Sequence, residues 1–457
     1  MNKTAPSPLR NRNHRLRRQI KRARRGILHP RLWTIRLVFW LGAATVGLTA
    51  VFYAVSAART DRLFHALARE YPLAPLLITP AGFVLAAWLT RRFFPGAEGS
   101  GIPQVIWALR QRSHALSTRL LSIRIVVGKI AVTLLGLISG ASIGREGPTV
   151  HVGASILYSL HRIPILRRRH MDNALIVAGG AAGLAAAFNT PLAGIVFAIE
   201  ELSRGFEERS SGIIITGVLI AGLMAIVLLG NYTYFGVHYA PLDLYQGLVA
   251  VPVAGVLGGM AGGLFAALLV LSVDATAAVR QRRPMLFAAG CGLAVALVGL
   301  LSGGESYGTG YEEAKAIIGG QHPATWLYPV TKFLATLASY LSGIPGGLFA
   351  PSLSTGAGLG ANLAGWWGEP SSYVAYSILG MAGYLAGVTR APITSFVIVM
   401  EMTSDRSLTL ALIATTFLAS SVSRLLNRHP LYRQLAELAA RASAAQTQPA
   451  EEAPNAP

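Results

Sequence analysis

The sequence predicts an all-α polytopic membrane protein, and three observations support that class. The 457-residue chain is 53% hydrophobic. Only 13% of its residues are charged, about half the fraction that is usual in soluble globular proteins. The charges are unevenly placed, and the apolar segments between them approach the roughly 20 residues that a helix needs to cross a bilayer. We therefore predict one membrane transport domain over residues 28–432.

The first element is a strongly basic segment, residues 1–27. Its first 26 residues carry ten Lys or Arg and no acid, and the first acid in the chain is Asp61. Such a cluster beside a first membrane helix fits the positive-inside rule and contact with anionic lipid. We interpret the segment as a cytoplasmic tail rather than a cleaved signal peptide. The net charge of +20 therefore predicts a lipid bilayer, and not nucleic acid, as a partner.

Long apolar runs follow this tail. The first two read LVFWLGAATVGLTAVFYAV and LLITPAGFVLAAWL, and comparable stretches lie near residues 119–140, 170–200, 211–230, 246–273, 284–302, 325–366 and 374–426. The C-terminal tail, residues 433–457, begins with a short helical pattern and ends in AAQTQPAEEAPNAP, whose composition predicts partial disorder. The single cysteine, Cys291, excludes an intrachain disulfide.

The two halves of the chain resemble each other. AGGAAGLAAAFNTPLAGIVFAIEEL matches LGMAGYLAGVTRAPITSFVIVMEMT at an offset of 201 residues, and GREGPTVHVG matches GLFAPSLSTG at an offset of 203. Two matches in the same order indicate a duplication, with repeats over about 28–230 and 246–432. Internal repeats with interrupted helices are a common way to build a site in the middle of a membrane. The pattern alone leaves open whether the repeats are parallel or inverted.

Four acids lie in or beside apolar runs: Glu146, Glu200, Glu201 and Glu401. A carboxylate is costly in hydrocarbon, so each should face protein or water and mark a functional position. Glu201 follows Pro191 by ten residues, which places it about 15 Å along a helix that starts at that proline. It is therefore predicted to be a second ionisable station, away from any site at the helix start. The alternative is that Glu200 and Glu201 lie at the water interface and cap nothing.

Glu146 lies between Gly144 and Gly147 in the motif GREGP. Proline is favoured in the first turn of a helix, so Pro148 predicts a helix start at about residue 148. The backbone N–H groups of 145–147 would then be unpaired at the positive end of the helix dipole, which is an anion site. Glu146 can occupy that site as a tethered anion. The alternative is a capping glutamate that only stabilises its own helix.

Three further motifs have the same design: GSGIP at 99–103, FNTP at 188–191 and GGLFAP at 346–351. If the four helix starts converge, they form a dehydrated site for a small anion without a full positive charge. That suits a transporter, which must also release its ion, and for the same reason Arg145 is not expected to be a direct ligand. Lys129, which also lies in an apolar run, is expected to pair with an acid or to extend to the interface.

GSGIP, GREGP, FNTPLAGIVFAIEE and GGLFAP, in this order and spacing, resemble the CLC family of chloride channels and proton–chloride antiporters over about residues 30–435. The resemblance implies a homodimer with two inverted repeats of tilted, interrupted helices and one pore in each subunit. It implies a multi-pass protein of the bacterial inner membrane, with a cytoplasmic N-terminus. Chloride and protons are the implied transported ligands. Neither a cofactor, a metal nor enzymatic activity is implied.

The resemblance also implies roles for individual residues. Glu146 matches the gating glutamate and Glu201 the internal proton glutamate of the antiporters. The anion-binding positions are Ser100, Gly147, Leu348, Phe349 and Tyr432. A carboxylate at Glu201 favours an antiporter over a channel, and a serine at Ser100 favours chloride over nitrate. The acids that follow GSGIP in some bacterial antiporters are absent, so that Lys129 is expected to lack its usual partner.

We therefore predict a proton-coupled chloride antiporter with Glu146 as its gating glutamate. A passive chloride channel of the same family is the first alternative. An intramembrane hydrolase that uses His151 and a nearby serine is the second, but it would need a Ser–His pair with an orienting acid, and no GxSxG motif accompanies His151.

Overall fold

A computed structural model describes residues 30–110, 114–164, 171–203, 208–230, 232–240, 242–320, 325–367 and 372–447. The predicted basic tail, 1–27, and the last residues of the predicted C-terminal tail, 448–457, lie outside the described residues. Residues 433–447 continue the last helix.

The described residues form helices in both halves of the chain. The first half contains α1 (Pro30–Glu70), α2 (Pro75–Phe93), α3 (Ile102–Arg110), α4 (His114–Leu120), α5 (Ile123–Ile138), α6 (Glu146–Ser159), α7 (Met171–Phe188), α8 (Pro191–Phe197) and α9 (Glu208–Leu229). The second contains α10 (Leu244–Ala275), α11 (Ala277–Arg282), α12 (Pro284–Leu301), α13 (Tyr311–Ile318), α14 (Tyr328–Leu341), α15 (Phe349–Trp367), α16 (Tyr373–Thr389), α17 (Pro392–Thr403), α18 (Thr409–Leu426) and α19 (Leu431–Thr447). A π-helix, Ala198–Ser203, continues α8.

Eight of the described helical segments are long and apolar enough to cross a bilayer. Several carry large apolar side chains on their outer surface; Leu301, for example, is 79% exposed in the isolated chain. Such side chains would be unfavourable in water but are suited to lipid. The prediction of an all-α multi-pass membrane protein is therefore confirmed.

The two repeats are related by a local two-fold axis. Gly144 and Gly347, which correspond at the offset of 203 residues, form an antiparallel bridge. Each donates its N–H to the carbonyl oxygen of the other, at 2.8 and 2.7 Å. A mutual contact between equivalent residues is the mark of two-fold symmetry. Because the pairing is antiparallel, α6 and α15 begin in opposite directions, and the prediction of inverted repeats is confirmed. The repeat boundaries themselves stay predictions.

A second mutual contact joins α8 and its π-helical continuation to α17. Glu200 and Glu401 each accept hydrogen bonds from the first turn of the opposite helix, where backbone N–H groups lack a partner within their own helix. The donors are the N–H groups of Ile393 (3.1 Å) and Thr394 (2.6 Å) for Glu200, and of Leu192 (3.1 Å) and Ala193 (2.7 Å) for Glu401. Two of the four unusual acids are therefore reciprocal helix caps.

The glycines that match between the repeats lie where helices pack most closely. A Cβ atom added to Gly153 would lie 2.2 Å from the carbonyl oxygen of Gly179, and one added to Gly356 would lie 2.6 Å from that of Gly380. In both repeats, two consecutive long helices therefore meet backbone to backbone. Small residues at such contacts are typical of helices that pack within membranes. This packing accounts for the glycine matches in the sequence.

Candidate functional site

Three helix starts meet in the interior of the protein, those of α3, α6 and α15. The loops before them are joined by backbone hydrogen bonds, from Gly99 N–H to the Ile344 oxygen (3.2 Å) and from Gly346 N–H to the Gly99 oxygen (3.1 Å), in addition to the mutual glycine pair. The helices α6 and α15 begin two residues before the prolines that were predicted to open them. Each proline instead lies in the first turn, where its missing N–H costs nothing.

The predicted anion-binding residues lie together at this convergence. Ser100, Leu348, Phe349 and Tyr432 are at most 2% exposed. A Cβ atom at Gly147 would lie 2.3 Å from Ser100 Oγ, so only glycine permits this approach. Tyr432, in the first turn of α19, stacks on Phe349 with ring centroids 6.1 Å apart and planes inclined by 21°. Their roles in anion binding stay predictions.

Two hydroxyl groups at this position have no hydrogen-bond partner among the described residues. They belong to Ser100 and Tyr432, which face each other. Buried hydroxyls are normally paired, because burial of an unpaired polar group costs roughly 1–3 kcal/mol. Two unpaired donors beside helix N-termini are a suitable environment for a small dehydrated anion.

The Glu146 carboxylate lies among the same helix starts and is fully buried. Its Oε2 atom lies 2.3 Å from the position that a Cβ of Gly144 would take, and its Oε1 atom lies 3.9 Å from Arg145 Nε. The backbone N–H groups of Arg145, Glu146 and Ala350 face this carboxylate without reaching hydrogen-bond geometry. When this carboxyl group is ionised, its negative charge lies at the positive ends of α6 and α15, where helix dipoles stabilise it.

Arg145 lines a cavity of about 620 Å³, here called the Arg145 cavity. Side chains of α1 and α13 and two tyrosines of the central loop, Tyr232 and Tyr234, form its other walls. Because the Arg145 side chain also lies close to the Glu146 carboxylate, the cavity lies on the Arg145 side of the converging helix starts.

Glu201 belongs to a different helix from those that begin at the site. The helix that carries it begins at Pro191, as predicted, and ends in the π-helix that holds both Glu200 and Glu201. Glu201 is 6% exposed, and Tyr432 is among its electrostatic neighbours. The alternative in which the two acids cap nothing is wrong, because Glu200 caps α17. Glu201 is buried.

The FNTP helix start does not join the other three. Its free N–H groups, at Leu192 and Ala193, are bonded by the Glu401 carboxylate. The convergence therefore involves three motifs rather than four. Sequence alone could not reveal this, because Glu401 is more than 200 residues away along the chain.

The two expected environments for Lys129 are both wrong. Its side chain is fully buried. The ammonium group donates to the carbonyl oxygens of Ala97, Glu98 and Gly99 at 2.7, 3.2 and 2.8 Å. Three carbonyls use all three donors of an ammonium group. Lys129 therefore holds the loop that presents Ser100.

Lys332 has the same role in the second repeat and was not predicted. Its ammonium group donates to three successive carbonyl oxygens, of Ser306 (3.2 Å), Tyr307 (2.9 Å) and Gly308 (2.9 Å). Thr133 and Thr336 each bond the carbonyl oxygen of the lysine four residues earlier. The repeated pattern Lys-x-x-x-Thr, at the offset of 203 residues, is the signal that could have identified Lys332.

His151 does not form the pair that a hydrolase needs. Its Nε2 atom is bonded to the Leu120 carbonyl oxygen at 2.9 Å. Neither its Nδ1 atom nor the nearby Ser155 hydroxyl has a hydrogen-bond partner within the described ranges. The geometry gives no support to the hydrolase alternative.

Comparison with known proteins agrees with this arrangement. Residues 82–424 match the family described as voltage gated chloride channel, which is more than half of the chain. The chain belongs to the CLC family. It is 31% identical over 444 residues to the H(+)/Cl(-) exchange transporter ClcA of Citrobacter koseri, covering 91% of this chain and 92% of that CLC protein. It is 32% identical over 407 residues to ClcA of Vibrio vulnificus, covering 83% of each.

Solved CLC structures share the fold. A slow cyanobacterial Cl−/H+ antiporter superposes with a TM-score of 0.78 at 27% identity, covering 92% of this chain and 100% of that chain. A CLC-type fluoride/proton antiporter, at 22% identity and a TM-score of 0.75, also has this fold. The exchange transporters above and the cyanobacterial antiporter place the chain with CLC proteins of the bacterial antiporter type.

Proposed function

We propose that this protein is a proton-coupled chloride antiporter in which Glu146 is the gating glutamate. One observation carries the proposal. The Glu146 carboxylate is a buried, tethered anion at the starts of α6 and α15, in the same convergence as the unpaired hydroxyls of Ser100 and Tyr432. Such a site stabilises any small anion, so that chloride and this carboxylate compete for it.

Exchange follows from that competition. When Glu146 is ionised, its carboxylate occupies the site and blocks the anion path. When it is protonated, it loses its attraction to the N–H groups and swings out, and chloride takes its place. Helix N-termini supply only about half a unit of positive charge each. Chloride is therefore stabilised without a full cationic ligand and can be released.

Glu201 serves as the second proton station in this proposal. It is buried in the π-helix that follows α8, and in this mechanism protons and chloride follow different routes on its side of the site. The relatives named as exchange transporters support antiport over passive flux. Ser100 supports chloride as the preferred anion.

We further propose a homodimer in the bacterial inner membrane with a cytoplasmic N-terminus. The basic segment 1–27 supports this orientation, because positive residues next to a first membrane helix are retained on the cytoplasmic side. The exposed apolar side chains of the spans support contact with lipid and with a second subunit.

Parallel measurement of chloride and proton flux in liposomes tests the proposal. With purified protein, a chloride gradient should drive protons uphill in the opposite direction, and a pH gradient should shift the reversal potential. Chloride movement without any proton movement would instead identify a passive channel. Absence of chloride flux would show that the proposal is wrong.

Tyr432→Phe should weaken chloride binding while the ring remains stacked on Phe349. A hydrogen bond to a charged group contributes about 1.5–3 kcal/mol, and we expect a loss of that size in calorimetric titration with chloride. Tyr432→Ala should also loosen proton coupling. Tyr307→Phe is the matched control, because the Tyr307 hydroxyl donates to the Ala296 carbonyl oxygen. Equal chloride affinity in wild type and Tyr432→Ala would remove Tyr432 from the site.

A further inference from the structure

A second group of ionisable side chains lies at the Arg145 cavity, away from the Glu146 carboxylate. His65 on α1 lies between two carboxylates. Its Nδ1 atom is 3.6 Å from Asp61 Oδ1, and its Nε2 atom is 3.7 Å from Glu313 Oε1. Asp61 is 8% exposed, and its Oδ1 atom has no hydrogen-bond partner within the described ranges.

The hydrogen bonds of His65 fix where a proton can bind. Nδ1 lies 2.9 Å from the Asp61 carbonyl oxygen. A carbonyl oxygen only accepts, so Nδ1 must carry hydrogen. In the neutral ring, the lone pair of Nε2 then faces the Glu313 carboxylate, and no described residue donates a hydrogen bond to Nε2. The lone pair and the carboxylate repel each other. A proton bound at Nε2 converts this repulsion into the attraction of an ion pair.

His65, Asp61 and Glu313 lie in a strongly charged part of the protein. The buried ammonium group of Lys332 interacts with both Glu313 and Asp61. The other charged groups that line the cavity are Arg62 and Arg69 of α1, Glu312 and Lys315 of α13, and Arg145. The His65 side chain is 20% exposed, so that water can reach it through the cavity.

We propose that His65, Asp61 and Glu313 form a second proton-binding site, whose occupancy sets how fast anions pass Arg145. The proposal rests on the proposed function, because it requires anion transport, and it adds that anions reach the site through the Arg145 cavity. A bound proton adds one positive charge to this cavity and raises the local concentration of anions. The chloride rate should therefore rise as the solution becomes more acidic.

A neutral variant and a positively charged variant test this site. His65→Gln never gains the charge, so its chloride flux in acidic solution should be lower than that of the wild type. His65→Lys keeps a positive charge, so its chloride flux in alkaline solution should be higher than that of the wild type. We expect the two to differ by about threefold to tenfold at neutral pH, the effect that one unit charge can have near an ion path. Flux is measured in liposomes with equal pH on both sides, so that protein orientation does not matter.

The matched control is His238→Gln. His238 is half-buried in the neighbouring loop, is bonded to the Phe235 carbonyl oxygen, and forms no ion pair with a described carboxylate. His238→Gln should keep the wild-type dependence of chloride flux on pH. Every variant should keep the wild-type number of protons transported per chloride. If His65→Gln retains the wild-type pH profile, or if both His65 variants change flux in the same direction, the second proton site is wrong. Loss of chloride flux in the wild type would instead contradict the proposed function.

Discussion

Glu146→Gln should abolish proton coupling while chloride continues to cross the membrane. Glutamine keeps the volume of the side chain and imitates the protonated carboxyl group permanently. It cannot carry a proton, and it cannot compete with chloride as an anion at the starts of α6 and α15. In liposomes across a pH gradient, proton flux should fall to the leak of protein-free vesicles. Most of the pH dependence that Glu146 itself confers on chloride flux should be lost.

Two further variants sharpen this test. Glu146→Asp should also fail to couple, because its carboxylate is one methylene short of the site. Glu437→Gln is the control for loss of a carboxylate elsewhere. Glu437 is 42% exposed on α19, and a hydrogen bond from Arg433 lowers the pKa of its carboxyl group, so that it stays ionised at neutral pH. Intact proton pumping by Glu146→Gln would overturn the proposed mechanism.

Glu201→Gln should stop proton transport and leave chloride flux in place, although slower. The variant removes the ionisable group from the buried station near Tyr432 and preserves the shape of the π-helix. Chloride still reaches the helix starts, because Glu201 lies off that route in the proposed mechanism. The measurement is again parallel chloride and proton flux, with a chloride gradient as the only driving force.

Glu200→Gln is the matched control for Glu201, since it changes the neighbouring residue in the same way. The Glu200 carboxylate is committed to the N–H groups of Ile393 and Thr394. We expect this variant to lose thermal stability through a weaker helix cap, by about 0.5–2 kcal/mol, and to keep proton coupling. Protons that still move uphill in Glu201→Gln would make Glu200 the candidate for the proton station.

Several properties of this protein could be read from local sequence. Apolar runs of the required length predicted a multi-pass helical membrane protein, because the thickness of the bilayer sets the length of a span. Glycine and proline at GSGIP, GREGP and GGLFAP predicted interrupted helices, since these residues act on the backbone where they stand. Glu146 was identifiable because a charge in an apolar context is costly wherever the chain folds.

The partners of the charged residues could not be read in this way. Glu200 and Glu201 are adjacent and chemically identical, yet one caps α17 and the other is buried. The difference arises from a helix that lies about 190 residues further along the chain. Lys129 likewise has backbone carbonyls as partners, and backbone groups leave no mark in an amino-acid pattern.

The sequence by itself determined that this is a helical membrane protein with an internal duplication. It also identified the glycine and proline motifs at which helices begin, and Glu146 beside one of them. Only the tertiary structure decided that the repeats are inverted, because similarity between two segments carries no direction in space, whereas the antiparallel pairing of Gly144 with Gly347 does. It also decided that three helix starts converge and that the fourth is capped by Glu401. Each of these outcomes depends on contacts between the two halves of the chain, which form only when the repeats pack together.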